Sequence, residues 1–183
     1  MQFTKNGVKK MGYKQDYKKT IVVKNDIALM PPQNRECEEA VLGACLLERD
    51  AFDTVLEIVP REDCFYVEAH QRIYAAMIAL NTEKQPIDLL TVTSHLRDTN
   101  QLELIGGAYY LTKIASAVLS SAHAETHARI VMEKFFARET IRIANELIYK
   151  AYRDGEYDIF DTIEEGRNIL SITDLSLIHI SEP

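Results

Sequence analysis

The chain has 183 residues, of which 46% are hydrophobic and 27% are charged, and its net charge is −7. This composition excludes a disordered or collagen-like chain and provides enough apolar material for one sizeable core. No apolar stretch is long enough to span a membrane, and the lysine-rich start lacks the apolar core of a signal peptide, so a cytoplasmic protein without membrane contact is expected. Three cysteines without a CxxC pair predict reduced thiols rather than disulfides or a zinc site: Cys37, Cys45 and Cys64.

The charge is distributed unevenly along the chain. Residues 1–24 hold seven lysines and one acid, a charge of +6, and the total of −7 therefore leaves −13 for the remainder. We call residues 25–183 the acidic body of the chain. Its negative charge repels the phosphates of DNA, so binding to proteins or self-assembly is expected of it rather than DNA binding. Tyr13 and Tyr17 lie among the lysines, which suits stacking on nucleic-acid bases, but we interpret residues 1–29 as a basic, disordered leader. Met30 is an alternative start.

The last nine residues, 175–183, read LSLIHISEP. This nonapeptide resembles the translation of a sequencing-library adapter over its whole length and in one frame, so we interpret it as a non-native tail. On this interpretation the natural sequence diverges after Asp174 and the chain is a fragment of a longer protein. The alternative is a genuine apolar tail.

Between residues 30 and 120, apolar residues recur at helical spacing and predict a compact multi-helix globular domain. Pro31-Pro32 cannot lie inside a helix, so the first helix is expected to follow them with Asn34 as its N-cap. Asp50 is the expected N-cap of a second helix, which Pro60 ends.

Three further helices are predicted before residue 120. They span residues 67–81, residues 89–96 after the cap Asp88, and a short segment that begins at Gly106-Gly107. No strand-like alternation of polar and apolar residues is present, so the predicted fold class is all-α. The predicted core of the globular domain includes Tyr74, Met77 and Tyr110.

The apolar pattern of residues 121–174 predicts a long helix and an antiparallel helical hairpin. The helix spans residues 122–152, with Ala124, Ala128, Val131 and Phe135 on one stripe, and residues 153–156 form the turn before a partner helix capped by Asp158. A lone hairpin cannot bury its apolar stripes in water, so this segment is expected to mediate oligomerisation. The candidates for hairpin core, subunit contact and charged rim are Ile141, Ile148, Ile159, Phe160, Ile163, Leu170, Arg142 and Arg153.

The sequence predicts no catalytic, cofactor or metal site in this chain. No glycine is followed by lysine, so the phosphate loop that binds nucleotide phosphates is missing. His123 and His127 lie one helical turn apart, as metal ligands do, but the Glu that follows the first His in zinc proteases is absent, and solvated or helix-capping histidines are expected.

Four buried or acidic positions have structural interpretations. Glu38 and Glu39 are adjacent and diverge around a helix, so we interpret them as favourable charges near a helix start rather than as a general acid and base. His70 lies on an apolar face and is expected to be a hydrogen-bonded core histidine. Cys45 has no activating partner in the sequence and is expected in the core.

Five groups of residues, in their order and spacing, point to one family. They are Pro31-Pro32-Gln33-Asn34 with Glu36 and residues 38–43; Phe65-Tyr66 with His70, Ile73, Tyr74 and Met77; residues 86–91; Leu96, Leu102, Gly106-Gly107, Tyr110 and Leu111; and residues 128–131 with Glu133, Lys134 and Arg138. Together they resemble the N-terminal domain of bacterial replicative DNA helicases of the DnaB type, over residues 31–174. Two features depart from the family: Cys37 stands where a small residue is usual, and residues 1–24 have no counterpart.

The resemblance implies a collar domain on a ring-shaped hexamer, in which the hairpins pair. It further implies two partners during DNA replication besides other copies of the chain, namely primase and a helicase loader. In that family ATP, Mg²⁺ and DNA bind to a RecA-like domain that follows a linker helix, here beyond residue 174. The chain itself is then no motor and holds no cofactor, whereas the complete protein is an ATP-dependent DNA helicase.

Two other classes of protein stay open from the sequence. One is a free-standing helical adaptor, in which residues 175–183 are native and no ATPase domain follows. The other is a helix-turn-helix DNA-binding protein that uses the helix from Arg138 to Lys150 or the lysine-rich leader. The second is disfavoured because a recognition helix usually carries clustered basic and amide side chains and because the body is acidic.

Overall fold

The computed structural model describes residues 30–118, 120–153 and 155–168. The basic leader, the interface candidate Leu170 and the nonapeptide tail lie outside the described residues, so what the sequence predicts of them stays a prediction. The described chain is built from helices, and no β-strand element occurs in these ranges. The predicted all-α class is therefore confirmed.

Seven α-helices follow one another in the described residues. Short 3-10 turns at Glu62–Cys64 and Glu103–Ile105 precede α3 and α5. The helices are α1 Arg35–Leu47, α2 Arg49–Ile58, α3 Glu68–Thr82, α4 Leu89–Asp98, α5 Gly107–Ala117, α6 Ala124–Tyr152 and α7, whose described residues are 159–168.

Local capping explains where two of the helices begin. The Asn34 side chain accepts a hydrogen bond from the Cys37 backbone N–H at 3.1 Å, as predicted for the start of α1. At α4, Asp88 accepts from the Thr91 N–H while the Thr91 hydroxyl accepts from the Asp88 N–H, a reciprocal capping box. The backbone N–H groups at both helix starts are satisfied by side chains that the sequence already indicated.

The predicted cap of α2 was wrong. The N-cap is Glu48, whose side chain makes no capping hydrogen bond, and Asp50 lies inside the first turn. The reason is that one extended residue, Glu48, separates α1 from α2, so the second helix restarts at Arg49 before Asp50 is reached. Asp50 still contributes a negative charge close to the positive end of the helix dipole.

The core forms where α1 packs against α2, α5 and α6 and where α3 packs against α4. Tyr74 is fully buried and donates a hydrogen bond from its hydroxyl to the Val59 carbonyl at 2.7 Å, and its ring lies 4.9 Å from that of Phe65. Met77 is also fully buried. The predicted core positions of Tyr74 and Met77 are thus confirmed, whereas Tyr110 is only partly buried and uses its hydroxyl in a polar network.

Helices α1 and α5 approach each other closely at Gly43. A Cβ atom there would lie 2.5 Å from the Val118 Cγ2 atom and 2.8 Å from the Ile114 carbonyl oxygen. These separations are shorter than van der Waals contact, and the carbonyl belongs to helical backbone that cannot easily move. Glycine is therefore required sterically at this helix crossing.

Helix α6 changes its environment along its length. The predicted stripe of its first half is buried in the globular core, with Ala128 and Val131 almost inaccessible to solvent. Beyond Phe135 the side chains are exposed or partly exposed, apart from the buried Ile143. The first half of α6 belongs to the core of the globular domain, so the proposal of a separate oligomerisation segment concerns its second half and α7.

Candidate functional site

The second half of α6 and α7 form an antiparallel helical hairpin. Asp158 caps α7 by accepting a hydrogen bond from the Phe160 N–H at 2.7 Å, as the sequence predicted. Gly166 of α7 faces Leu147 of α6, where a Cβ would lie 2.8 Å from a Leu147 methyl carbon, and Lys150 forms an ion pair with Glu165 at 2.6 Å. The absence of a side chain at Gly166 leaves room for Leu147, and the exposed ion pair links the two helices across the hairpin.

A shallow apolar groove of about 340 Å³ runs along the hairpin. Two of the sequence candidates, Ile159 and Ile163, line it. The remaining lining residues were not among the interface candidates from the sequence, although Leu147 and Ala151 are one helical turn apart and share a face of α6. These other residues are Leu147, Ala151, Thr162, Gly166 and Arg167.

Large apolar side chains on the hairpin are exposed to solvent. Phe160 is 77% exposed and Ile163 is 59% exposed, and Ile141 and Ile148 are each about half exposed on α6. Exposed tyrosines, which the sequence analysis did not select, flank them. We call the following set the hairpin surface: Ile141, Ile148, Tyr149, Tyr152, Tyr157, Ile159, Phe160 and Ile163.

The two arginine candidates are engaged with acids on their own chain. Arg142 contacts Glu139 at 2.8 Å and Glu146 at 3.5 Å, and the hydrogen bond to Glu139 raises the pKa of its guanidinium. Arg153 pairs with Glu156 at 2.9 Å and lies over the Tyr149 ring at 4.4 Å. Both arginines lie beside residues of the hairpin surface. Exposed ion pairs of this kind contribute little to stability.

A second notable site is a buried polar network, and it corrects the interpretation of Glu38. Glu38 is buried and accepts hydrogen bonds from the Tyr66 and Val67 N–H groups at 2.7 and 3.2 Å and contacts His70 Nδ1 at 2.6 Å. It is not simply a favourable charge at a helix start. Its spacing of three residues before Val41 placed it on the buried face of α1, a signal that was present in the sequence.

His70 and Tyr110 continue this network towards the surface. His70 is fully buried, as expected of a hydrogen-bonded core histidine, and its Nε2 atom lies 2.8 Å from the Tyr110 hydroxyl. That hydroxyl also lies 3.3 Å from a carboxylate oxygen of Glu39, which Lys113 approaches at 3.6 Å. Burial, and secondarily Glu39, raise the pKa of Tyr110. The network joins α1, α3 and α5.

Neither the histidine pair nor the cysteines assemble into a larger cluster. The rings of His123 and His127 lie 6.3 Å apart, and no group of three potential metal ligands occurs in the part of the chain that the structure describes. Cys45 and Cys64 are buried free thiols, and Cys37 is a partly exposed one. No described helix is long and apolar enough to cross a membrane.

Arg138, which the DNA-binding alternative places on a recognition helix, has a different role in this structure. Its guanidinium donates hydrogen bonds to the Pro32 carbonyl at 3.0 Å and to the Cys64 carbonyl at 2.6 Å. It also lies over the rings of Tyr66 and Phe135, at 5.6 and 5.7 Å. These contacts occupy the side chain within the fold.

The described residues define a class of all-helical domain that carries an antiparallel hairpin with exposed apolar side chains. Within this class the chain belongs to the DnaB-like helicase N-terminal domain family, whose model matches residues 30–133. The replicative DNA helicase DnaC of Bacillus subtilis is 41% identical over 141 residues, which are 77% of this chain and 31% of that helicase. The chain thus spans about a third of the length of this relative.

Two solved structures share the fold. The N-terminal domain of DnaB helicase from Mycobacterium tuberculosis superimposes with a TM-score of 0.72 at 33% identity, over 78% of this chain and 99% of that domain. A DnaB-like replicative helicase, described together with its interactions with primase, matches with a TM-score of 0.59 at 27% identity, over 81% of this chain and 32% of that helicase. The family that the sequence motifs suggested is confirmed.

Proposed function

We propose that this chain is the N-terminal collar domain of a hexameric replicative DNA helicase. Two findings support this function: the family match, and the coverage of nearly all of a solved DnaB N-terminal domain but only about a third of a complete helicase. ATP, Mg²⁺ and DNA would then bind to a motor domain beyond the compared region, and the collar would supply assembly and docking during replication.

The exposure of the hairpin surface is the main observation in support of the assembly role. Monomeric proteins rarely leave contiguous large apolar side chains in water, and interfaces are enriched in aromatic residues. Here Phe160 and Ile163 project from α7 beside an apolar groove, and Tyr149 and Tyr152 are exposed on α6. Pairing of two hairpins would cover these side chains, with Arg142 and Arg153 at the rim. Leu170 stays a further candidate from the sequence alone.

Docking of primase and of a helicase loader is the second part of the proposed role. A similar solved helicase is described with its interactions with primase, which supports primase as a partner of this chain as well. The loader rests on the family resemblance alone. Both partners can be tested by pull-down with the purified primase and loader of the source organism, with binding expected for the unaltered chain.

The double substitution Phe160→Asp and Ile163→Asp tests the assembly role. Two exposed carboxylates on α7 would be desolvated in a paired hairpin, so the variant is expected to be monomeric at micromolar concentration while the unaltered chain forms a larger species. Sedimentation velocity measures this difference. Leu90→Asp is the matched control, because Leu90 is equally exposed but lies on α4. An unchanged oligomeric state in the double variant would contradict the hairpin assignment.

The genomic sequence read onward from Asp174 would distinguish the collar from the free-standing adaptor. A frame that continues through a linker helix into a phosphate-loop ATPase domain supports the collar. A frame that terminates within a few codons would leave the chain without a motor and support the adaptor instead. Both proteins would share the hairpin pairing, so this experiment and the sedimentation experiment test different parts of the proposal.

A further inference from the structure

The apolar groove on the hairpin lies beside an exposed aromatic side chain that does not fill it. On α6 the groove is lined by Leu147 and Ala151. On α7 it is lined by Ile159 and Ile163, among others. Phe160 directly follows Ile159, yet it is not a lining residue and is 77% exposed. An apolar groove and an aromatic ring that lacks apolar cover therefore lie next to each other on one hairpin.

The groove has the size and the lining that an aromatic ring requires. Its volume is about 340 Å³, whereas an engineered apolar cavity of about 150 Å³ in another protein accommodates benzene. Gly166, which lines the groove, has no side chain to occupy it. Arg167 also lines the groove and is exposed, and unlike Arg142 and Arg153 it forms no ion pair among the described residues. Its guanidinium is therefore available to lie over the face of an incoming ring.

The positions of the ring and the groove on α7 suit a two-fold pair. Phe160, Ile163 and Arg167 are spaced by three and four residues, so they share one face of α7, with Phe160 and Arg167 two turns apart. When two α7 helices run antiparallel across Ile163, Phe160 of each copy lies at the Arg167 end of the groove of the other. A two-fold axis seats both rings at once, because each copy supplies the same ring and the same groove.

The charges on α7 favour the antiparallel direction. In a parallel two-fold pair, Glu164 would lie beside Glu164 of the other copy and Arg167 beside Arg167, and such like-charge contacts are unfavourable. In an antiparallel pair, each Arg167 instead lies beside the Phe160 ring of the other copy, and the positive end of each helix dipole lies beside the negative end of the other.

We propose that two hairpins pair through antiparallel α7 helices and that Phe160 of each copy occupies the apolar groove of the other, beside Arg167. Phe160 is then the anchor residue of the pair, and the partner that fills the groove is a second copy of this chain. This arrangement rests on the proposed assembly role and further specifies its direction and its anchor.

Photo-crosslinking locates the ring in the assembled chain. The amino acid p-benzoylphenylalanine in place of Phe160 keeps an aromatic side chain there and bonds to a neighbouring C–H group on irradiation. With ¹⁵N-labelled and unlabelled chains mixed, fragmentation mass spectrometry identifies bonds between copies, which we expect at residues 147–151 and 163–167. The same amino acid in place of Tyr109, which is 80% exposed on α5, is the control and should not bond to these residues. Bonds from position 160 to any other part of the second copy, or within one copy only, would overturn the arrangement.

Filling the groove from within each copy tests the same contact without a crosslinker. Ala151→Phe should raise the dissociation constant of the pair about tenfold or more, as loss of an aromatic anchor does. Ala108→Phe adds the same ring to an exposed alanine of α5 and should leave the constant unchanged. Phe160→Ala should weaken the pair as well, and adding Ala151→Phe to it should have little further effect, because the ring that needs the groove is already missing. An unchanged constant for a folded Ala151→Phe variant would overturn the proposal.

Sedimentation velocity of the unaltered chain separates this arrangement from the assembly role on which it rests. A chain that stays monomeric at micromolar concentration would overturn both. A chain that assembles, but whose crosslinks from position 160 lie outside residues 147–151 and 163–167, would overturn only the antiparallel arrangement and its Phe160 anchor.

Discussion

Glu38 shows how one side chain can join three parts of a fold. Its carboxylate lies on α1, accepts the two backbone N–H groups that precede α3, and contacts His70 within α3. Buried carboxylates are costly unless every lone pair finds a donor, and here the donors come from a segment 28 or more residues away along the chain. Truncation would leave these donors without a partner in the core.

Glu38→Ala is therefore expected to lower the free energy of unfolding by about 3–5 kcal/mol, because three donors at the core lose their acceptor and each unsatisfied donor costs about 1–3 kcal/mol. Urea denaturation followed by circular dichroism measures this loss. Glu36→Ala is the matched control, because Glu36 is exposed in the same helix. A loss below about 1 kcal/mol for Glu38→Ala would contradict the buried network.

The three cysteines should differ in reactivity according to their burial. Burial raises the pKa of the Cys45 thiol to about 12 and that of Cys64 to about 11, whereas Cys37 is partly exposed. A maleimide reagent at pH 7 should label Cys37 first and the other two only after unfolding, as mass spectrometry would show. Rapid labelling of Cys45 in the folded chain would contradict its placement.

The same two thiols make stability depend on pH. In the folded state the pKa values of both thiols lie above the ordinary value of 9.0. Above about pH 9 the two thiols therefore lose their protons in the unfolded chain but keep them in the folded chain. This difference stabilises the unfolded state, so the free energy of unfolding falls as the pH rises. Urea midpoints at pH 8 and pH 10 measure the fall. A Cys64→Ala variant should lose less stability between these two pH values than the unaltered chain does, and an equal loss would argue against the Cys64 contribution.

At the scale of single helices, local residues decide where a helix begins when they cap it. Asp88 is clearly the N-cap of α4, because Pro86 precedes it and Thr91 completes a capping box. At α2 the capping preference of Asp50 predicted the wrong helix start. The helix begins at Arg49 because Glu48 alone connects α1 to α2, and not because Glu48 is the better capping residue. Tertiary packing can override a capping preference that contributes only about 1 kcal/mol.

Asp88→Ala should lower the free energy of unfolding by about 1 kcal/mol, because two backbone N–H groups at the start of α4 lose their acceptor. Asp98→Ala is the matched control at the opposite end of α4, where a negative charge opposes the helix dipole, so this change should be neutral or slightly stabilising. Thermal unfolding of both variants gives the comparison. The same loss in both would show that the capping box is not the cause.

At the scale of the whole molecule, Arg138 connects segments that are distant in sequence. Its guanidinium fork binds carbonyls 106 and 74 residues away, so it holds the chain that enters α1 and the turn before α3 against α6. The hairpin begins just beyond this point of α6. Arg138 therefore attaches α6 to the globular core at the point where the hairpin begins.

Arg138→Lys is expected to lower the free energy of unfolding by about 1–3 kcal/mol, because one ammonium group cannot reproduce two diverging hydrogen bonds. Arg142→Lys, one helical turn further along and exposed, should change it by less than about 0.5 kcal/mol. Chemical denaturation of the two variants measures the difference. Equal stability of both would show that the charge alone, and not the fork, is required at position 138.

The sequence by itself determined the helical class, most helix positions and the family, because these depend on local periodicity, caps and ordered short motifs. It also indicated the hairpin, since Asp158 and the apolar stripes are local signals. Only the tertiary structure decided that Leu147 and Gly166 form the hairpin contact and that Glu38 meets His70. Such pairings depend on how helices distant in sequence rotate and pack against one another, and no single segment carries that information.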